Sequence, residues 1–482
     1  MHVNRRQFLR RSIAAALGGA SAYSAFGSLR LISAAAAAQR PRGFGDYKAL
    51  VCVFMYGGND SFNTIVPASG TDRTDYVASR GSLALPTAGL FPLTPLSGGG
   101  PSNYALHPAM GALSGVDGDG IPRNAGLGTL FNSGKAAIVA NVGTLLQPIT
   151  QQQFQDGTVP SPPQLFSHDD QSTQWQTSRP DDANADGWAG RIADLLHDGN
   201  SGSVPMSITL GGANRLQRGA IVSPYAMSPY GVSRMDYHDG GDECWIIGCD
   251  GEMAQDNAAA YEALIASGTQ AHVLERAFAD ATTRSIANYR QIAGVLGNAP
   301  TWTTPFAQTD LGQQLAMVAQ LIAARDALGM RRQVFFVSTG NYDTHGDQLP
   351  TQDENLTELS QALRAFHDAT AQLGIAGSVT TFTASDFGRS LGVNSGGTDH
   401  GWGGHHFVVG GGVNGQRFYG AMPSLAETGN PDDTGYGQII PTTAVDQYAA
   451  TLARWFGVDA AGIGDIFPNL GRFASADLGF MG

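Results

Sequence analysis

The sequence has few cysteines, few basic residues relative to acidic ones, and few long apolar runs. Three cysteines in 482 residues are too few for a disulfide scaffold. The 28 Lys and Arg residues against 41 Asp and Glu residues give a net charge of -13, which disfavours nucleic acid and anionic membrane surfaces as partners. After residue 38 no apolar run is long enough to cross a bilayer, so the sequence predicts a soluble mature protein without a stable membrane span.

The amino terminus carries a paired-arginine signal, NRRQFLR at residues 4–10, followed by a weakly apolar run. Such a leader predicts export by the twin-arginine translocase to the periplasm or the extracellular space, a route associated with proteins that fold before they cross the membrane. Ala36–Ala38 provide small residues for cleavage near Gln39. The sequence therefore predicts a signal peptide over residues 1–38 and a mature protein over 39–482. An uncleaved membrane anchor is the alternative.

Four continuous apolar runs of strand length predict a sheet that is buried on both faces, as parallel sheets are. A helical pattern between the third and fourth runs completes a strand-helix-strand unit with a right-handed crossover. The fold class is therefore predicted to be α/β, with a doubly wound, mostly parallel sheet and helices on both faces. The four runs are Ala49–Met55, Ala137–Val142, Gln333–Thr339 and Val379–Ala384.

Three helices are predicted around these strands. One begins at the capping box Thr351–Glu354 and ends at Gly374, a second carries apolar residues over Leu311–Ile322, and a third runs from Pro441 to Gly457. The stretch 186–255 is rich in Gly, Pro, Tyr and Ser, which predicts an irregular insertion within an otherwise single domain.

Acidic residues and histidines follow three of the predicted strands. The candidates are Asp60 after the first strand, Asp343 and His345 after the third, and Asp386 after the fourth. In an open parallel sheet these positions share one edge, where ligands bind. Ionised carboxylates and neutral imidazoles are ligands for divalent metals such as zinc and manganese, so a metal site is predicted here. The structural alternatives are a turn at Asp60, a loop clamp at Asp343 and an ion pair between Asp386 and Arg389.

A glycine-rich loop, GGTDHGWGGHH at residues 396–406, contains three histidines and an aspartate within eight residues. This density predicts that His400, His405 and His406 serve a metal or catalytic site, and core packing is the alternative. If His400 and His405 reach the same sheet edge as the acidic residues, the following segment HFVVGG should run opposite to the main strand direction or lie at the sheet border.

Ser167 is the candidate nucleophile. Ser167, His168 and Asp169 cannot form a catalytic triad among themselves, because consecutive side chains point in different directions. Ser167 does precede a predicted helix, however, and its hydroxyl would lie at a helix N-terminus suited to a phosphate or sulfate group. An ordinary N-cap serine is the alternative.

Several motifs together resemble the exported bacterial family catalogued as domain of unknown function 1501, over residues 46–475. That family is in turn similar to the alkaline phosphatase and sulfatase superfamily, an α/β fold with metal ligands at the carboxyl edge of a mostly parallel sheet. The motifs are VFMYGGNDSFNTIVP, LHPAM, FSHDDQ, NYDTHGDQ, SDFGR, GTDHGWGGHH, TTAVDQYAATLARWFG and FPNL.

The resemblance implies a set of metal ligands and a nucleophile. The superfamily nucleophile corresponds loosely to Ser167, and His168 as a ligand is the alternative. The sequence departs from the superfamily at Phe387, where a histidine is usual, which leaves the number of metal ions open. The implied ligands are Asp60, Asp343, His345, Asp386 and His400.

The motifs and the resemblance together predict an exported metal-dependent hydrolase of phosphate or sulfate esters, acting on a small molecule or a glycan. Ser167 or water would attack the ester, and Arg389 would neutralise oxyanion charge. His405 or His406 would orient the site or donate a proton. A non-catalytic binding or scaffolding protein of the cell envelope is the main alternative. A metal-independent serine hydrolase is the third, and the lack of a Gly-x-Ser-x-Gly elbow near a strand end counts against it.

Overall fold

The computed structural model describes residues 43–111, 126–232, 252–298 and 300–482. The signal peptide predicted over residues 1–38 lies outside the described residues, as does the part of the predicted insertion between 233 and 251. The chain from Gly45 to Gly482 forms one compact unit.

Helices alternate with strands along much of the described chain. The strands are β1 (Lys48–Met55), β2 (Ile65–Pro67), β3 (Phe91–Pro92), β4 (Tyr104–Leu106), β5 (Ala136–Gly143), β6 (Ser207–Thr209), β7 (Tyr225–Ala226), β8 (Arg332–Thr339), β9 (Val379–Ser385), β10 (Arg389–Asn394), β11 (Gly397–His400), β12 (Gly404–Gly410), β13 (Phe418–Tyr419) and β14 (Thr443–Ala444). The α-helices are α1 (Ser61–Thr64), α2 (Gly70–Arg80), α3 (Leu127–Asn132), α4 (Gln151–Gln155), α5 (His168–Thr177), α6 (Trp188–Leu196), α7 (Glu252–Ala266), α8 (Val273–Leu296), α9 (Asp310–Ala323), α10 (Gln348–Gln372), α11 (Val445–Phe456) and α12 (Ala460–Ile466).

The main sheet is mostly parallel. In the described part of the chain it has nine strands in the order β13-β5-β12-β9-β1-β8-β6-β7, with β14 also paired to β5. β1 pairs in parallel with β8 and β9, while β12 is antiparallel to both β9 and β5. A large, mostly parallel mixed sheet with helices confirms the predicted α/β class. β12 contains the HFVV segment, so the prediction that this segment runs opposite to the main direction is confirmed.

Helices cover both faces of the sheet. On one face, Val51 and Val53 of β1 belong to the same buried core as residues of α9 and α10. On the other face, the Phe382 ring of β9 lies 5.6 Å from the Trp188 ring of α6 and 6.0 Å from the Tyr448 ring of α11. Burial of each such side chain stabilises the fold by about 1.5–3 kcal/mol, which explains why continuous apolar runs predicted the central strands correctly.

Two helix starts differ from the prediction. Helix α10 begins at Gln348, before the capping box at Thr351, because Asp347 adopts a left-handed conformation (φ 48°) and the Gln348 side chain is held in a buried hydrogen-bond network. Helix α11 begins at Val445 rather than near Pro441, because Thr443 and Ala444 first pair with β5. Among the described helices, none combines the length and apolar content that crossing a bilayer requires.

Part of the predicted irregular insertion is ordered and joins the sheet. Helix α6 lies in this stretch, and β6 and β7 extend the sheet beyond β8 in parallel. The carboxyl ends of the three central strands are level, because Met55 of β1 aligns with Thr339 of β8 and Ser385 of β9. The loops that follow these strands therefore start from one edge.

Candidate functional site

The loop after β8 presents Asp343 and His345 at this edge. Asn341 has a left-handed backbone (φ 66°), which asparagine tolerates better than most residues. The loop after β1 passes directly behind Asp343. Gly57 has φ 114° there, and a Cβ atom at this position would overlap the Asp343 backbone, so only glycine fits.

Two further histidines come from other elements. His400 ends β11, which forms a hairpin with β10 in which His400 is paired with Arg389. His168 is the first residue of α5. Just before that helix, Phe166 has a left-handed backbone (φ 72°), and its carbonyl lies 2.7 Å from His400 Nδ1. A left-handed conformation is costly for a bulky residue, and such strain is common at functional sites.

Two imidazole nitrogens and one carboxylate oxygen surround the Nε2 atom of His400. His400 Nε2 lies 3.1 Å from His168 Nε2 and 3.1 Å from His345 Nε2. Asp343 Oδ1 lies 3.0 Å from His345 Nε2 and 3.2 Å from His400 Nε2. One ligand atom each from His168, Asp343 and His400 lies within 4.8 Å of the others. Two nitrogens on a tetrahedral zinc ion are about 3.3 Å apart, so these spacings fit one divalent cation.

The opposite nitrogens of the three rings face oxygen atoms. His168 Nδ1 lies 2.8 Å from Asp386 Oδ2, and His345 Nδ1 lies 3.3 Å from Asp399 Oδ1. With His400 Nδ1 donating to the Phe166 carbonyl, each neutral ring would carry its proton on Nδ1 and its lone pair on Nε2. Lone pairs 3.1 Å apart repel each other unless a proton or a cation lies between them. The donor set therefore fits a metal ion.

Asp386 is buried behind His168. Its Oδ2 also accepts a hydrogen bond from the Gly57 N–H at 2.9 Å, and its Oδ1 is buried with no hydrogen-bond partner in the described part of the chain. Burial raises the pKa of Asp386, and the hydrogen bonds from His168 and Gly57 offset this rise only in part. A cation on the far side of the His168 ring would favour the ionised carboxylate.

Asp343 is held by the fully buried Arg389. The Arg389 Nη1 donates to Asp343 Oδ1 at 2.5 Å and to the Gly57 carbonyl at 3.2 Å, while Nε and Nη2 donate to the hydroxyl and the carbonyl of Thr398. Burial alone would raise the pKa of Asp343, but the hydrogen bond and charge of Arg389 outweigh it, and the pKa lies below its ordinary value. Asp343 is therefore an anionic candidate ligand at neutral pH. For His400, burial is the main cause of a lowered pKa, which favours the neutral ring.

Asp60 lies in a separate, buried layer. Its Oδ1 caps α1 by accepting from the Phe62 N–H at 3.1 Å, and its Oδ2 accepts from Arg80 and Gln348. The structure thus gives both oxygens protein donors instead of bringing them to the three imidazoles. Its assignment as a metal ligand stays a prediction.

The predicted catalytic residues lie in different surroundings. His405 is 2% exposed, its Nδ1 accepts from the Asn141 N–H at 3.0 Å, and burial lowers its pKa to about 3. Arg389 is buried against Asp343 rather than open to solvent. Ser167 is the residue before His168 in the sequence, and its hydroxyl donates to Asp170 Oδ2 at 2.7 Å.

Several groups that surround the cluster carry only a weak signal in the sequence. His168 is predicted only as an alternative ligand, from its place at the first position of a predicted helix in FSHDDQ. Asp399 is predicted only as part of the glycine-rich loop, and the sequence carries no signal for the Phe166 carbonyl. Phe387 packs its ring 4.8 Å from the rings of both His168 and His400.

Comparisons with known proteins give a family but no activity. None of the curated proteins compared matches this chain. Among solved structures, the crystal structure of Ps i-CgsB in complex with k-i-k-neocarrahexaose matches 86% of this chain and 74% of that chain, at 8% identity and a TM-score of 0.29. A likeness this low carries no argument about fold or function. A family model matches residues 47–459, and the chain belongs to that family, described as protein of unknown function DUF1501.

Proposed function

We propose that this protein is an exported metal-dependent hydrolase of phosphate or sulfate esters, acting on a small molecule or a glycan. The observation that carries the proposal is that His168 Nε2 and His345 Nε2 each lie 3.1 Å from His400 Nε2, while the Nδ1 atom of each ring faces an oxygen. Such an arrangement is typical of imidazoles oriented for a metal ion.

His168, His345, His400 and Asp343 would hold the ion. Nitrogen and oxygen donors of this kind suit zinc or manganese. A divalent cation would supply Lewis acidity for ester cleavage at this point. The side chains of Asp343 and His345 are 43% and 47% exposed, so the cluster faces solvent on one side and a substrate can approach it.

The chain's own residues would divide the remaining tasks. Asp386 orients His168 through Nδ1, and Arg389 orients Asp343. Ser167 is the candidate nucleophile, because it immediately precedes the helix that begins at His168, and the Asp170 carboxylate is in position to accept its proton. If Ser167 does not act, water is the nucleophile.

Fold and targeting support the proposal at a coarser level. The candidate ligands follow the carboxyl ends of parallel strands, where ligands bind in open α/β sheets. This layout is what a distant relationship to the alkaline phosphatase and sulfatase superfamily would produce. The paired arginines Arg5 and Arg6 support export by the twin-arginine translocase into the periplasm or beyond, with the metal loaded before translocation.

Metal analysis tests the centre. Protein purified without chelator should contain about one zinc or manganese ion per chain, as expected for one ligand cluster. His400→Ala should lose the ion, whereas His272→Ala, at the exposed histidine that caps the start of α8, should retain it. A metal-free wild-type protein that also takes up no added metal would contradict the proposal.

A non-catalytic scaffold of the cell envelope is the second candidate. It is favoured by Phe387, which packs against two of the imidazoles, and by the full engagement of Asp60 and Arg389 with protein partners.

Assays with chromogenic phosphate and sulfate monoesters and diesters distinguish the hydrolase from the scaffold. Turnover that His400→Ala abolishes supports the hydrolase, and comparison with Ser167→Ala identifies the nucleophile. Bound metal without turnover of any ester supports the scaffold.

A further inference from the structure

A continuous series of hydrogen bonds, which we call the relay, links Asp60 to Asp343 through Gln348, Thr398 and Arg389. Gln348 Nε2 donates to Asp60 Oδ2, and Thr398 Oγ1 donates to Gln348 Oε1 at 2.7 Å. Arg389 Nε donates to Thr398 Oγ1 at 3.2 Å, and Arg389 Nη1 donates to Asp343 Oδ1 at 2.5 Å. The three residues between the two aspartates are fully buried. The relay therefore connects the buried Asp60 with the solvent-facing cluster.

The chemistry of Arg389 and Asp60 fixes which group donates and which accepts in each hydrogen bond of the relay. The Arg389 guanidinium can only donate, and an ionised Asp60 can only accept. Thr398 accepts from Arg389, so its own proton goes to Gln348. The Gln348 amide must then present its oxygen to Thr398 and its NH₂ group to Asp60. Position 348 thus requires one donor and one acceptor on the same side chain.

We infer that Asp60, Gln348 and Thr398 are positioning residues that hold Arg389, and through it the Asp343 carboxylate, toward the three imidazoles. The inference rests on the metal centre of the proposed function, and it gives Asp60 a role other than metal ligand. The buried Arg80 guanidinium also donates to Asp60 Oδ2, so the inner carboxylate already has a cationic partner.

The relay matters because Asp343 lies on a loop. Its side chain is 43% exposed and could rotate without Arg389. Arg389 is itself oriented by Thr398, which binds both its Nε and its Nη2 groups. Groups that orient metal ligands are commonly worth about 10–100-fold in metal affinity. Gln348 lies two hydrogen bonds beyond Arg389, so its loss should change metal affinity by a factor in the lower part of that range.

Gln348→Leu tests the relay, and the same helix offers a matched control. Gln352 lies one turn later on α10, is also buried, and donates to the backbone carbonyl of Asp60 at 2.7 Å. Gln352→Leu therefore removes a comparable buried hydrogen bond to the same residue while it leaves the relay intact. Binding of Co²⁺ to chelator-treated protein is followed by titration and by the visible absorption bands of the bound ion.

Gln348→Leu should weaken Co²⁺ binding by about 10-fold and shift the absorption bands, because Asp343 loses its fixed orientation. Gln352→Leu should lower stability to a similar extent but keep the Kd and the spectrum of the wild type. Equal Kd values and spectra for the two variants would overturn the inference. Asp60→Asn supplies a second test, because a positioning role predicts weaker binding at unchanged stoichiometry, whereas a folded variant without metal would identify Asp60 as a ligand.

Failure of the metal centre can be told apart from failure of the relay. If the wild type binds no Co²⁺, the proposed function fails, and the relay is judged on metal-free protein by NMR of ¹³C-labelled histidine rings. The relay predicts shifted His345 and His400 signals in Gln348→Leu and unchanged signals in Gln352→Leu, since both rings contact Asp343. Unshifted signals in both variants contradict it.

Discussion

His400 and the pair His405–His406 come from one short motif but have opposite environments. His400 ends a hairpin strand, donates to the Phe166 carbonyl through Nδ1, and turns Nε2 toward His168 and His345. His405 and His406 lie inside β12 and are buried, and burial lowers the pKa of each to about 3. Residue type and spacing brought the three histidines together as candidates. The backbone conformation separates them.

The buried pair serves the packing of the two sheet faces. Successive residues of a strand point to opposite faces. His405 accordingly meets the Phe62 ring edge-on at 5.8 Å, while His406 lies 5.0 Å from the Trp175 ring and 6.0 Å from the Tyr448 ring. These are the contacts of core packing, the alternative for this motif, whereas the His400 ring faces other imidazoles; the roles of His400 and His405 in a site stay predictions.

Changing His400 and His406 separately to alanine tests the difference between their environments most strongly. His400→Ala should weaken metal binding by at least about 100-fold, because a direct ligand is lost, with little change in the free energy of unfolding of the metal-free protein. His406→Ala should lower that free energy by about 2–5 kcal/mol through the cavity beside Trp175, with metal affinity unchanged. Metal titration and urea unfolding of both variants measure the two effects. Metal loss in folded His406→Ala would break the distinction.

A smaller effect on metal affinity is expected at the carboxylates that contact the candidate ligand rings, and it should differ between the buried Asp386 and the exposed Asp399. Asp386→Ala removes the buried acceptor of His168 Nδ1 and should weaken metal binding by about 10–100-fold. Asp399→Ala removes the acceptor of His345 Nδ1, but Asp399 is exposed and water can replace it, so a change of about twofold is expected. Competition with a coloured chelator measures both affinities. A larger loss in Asp399→Ala would reverse the expected order.

The smallest effect concerns acid stability. The His406 ring stays neutral in the folded protein down to about pH 3, whereas in the unfolded chain it protonates near pH 6.5. Protons therefore bind the unfolded state preferentially, and His406 costs stability as the pH falls below 6.5, by about 1.4 kcal/mol per pH unit. His406→Phe removes this dependence. Urea unfolding of chelator-treated protein at pH 6.5 and 5.5 should show the free-energy gap between variant and wild type shift by about 1 kcal/mol in favour of the variant, because the unfolded-state ring is already half protonated at pH 6.5. Parallel pH profiles would contradict it.

The central part of the fold could be predicted because it depends on local patterns. Apolar runs located β1, β5, β8 and β9 to within one residue at each end. Gly457 ends α11 in a left-handed conformation (φ 115°), as the sequence predicted. The stretch 186–255 was predicted to form loops or short strands over the sheet, and β6 and β7 are such strands. Their positions, and that of β14, could not be predicted, because strands of two or three residues carry no periodicity and form only where a neighbouring edge is available.

The site was predictable only in outline. The rule that ligands follow the carboxyl ends of parallel strands placed Asp343 and Asp386 at one edge. It could not distinguish Asp60, because its pairing with Arg80 and Gln348 depends on two helices folding against it. Nor could it place His168 opposite His400, since those residues are far apart in sequence and no local pattern reports their distance.

Anomalous diffraction from crystals of the protein soaked with zinc tests the proposed metal centre most directly, because it locates the ion without reference to activity. We expect one anomalous peak at about 2.0–2.2 Å from the Nε2 atoms of His168, His345 and His400 and from a carboxylate oxygen of Asp343. A peak at other residues, or no peak among these four at saturating zinc, would contradict it.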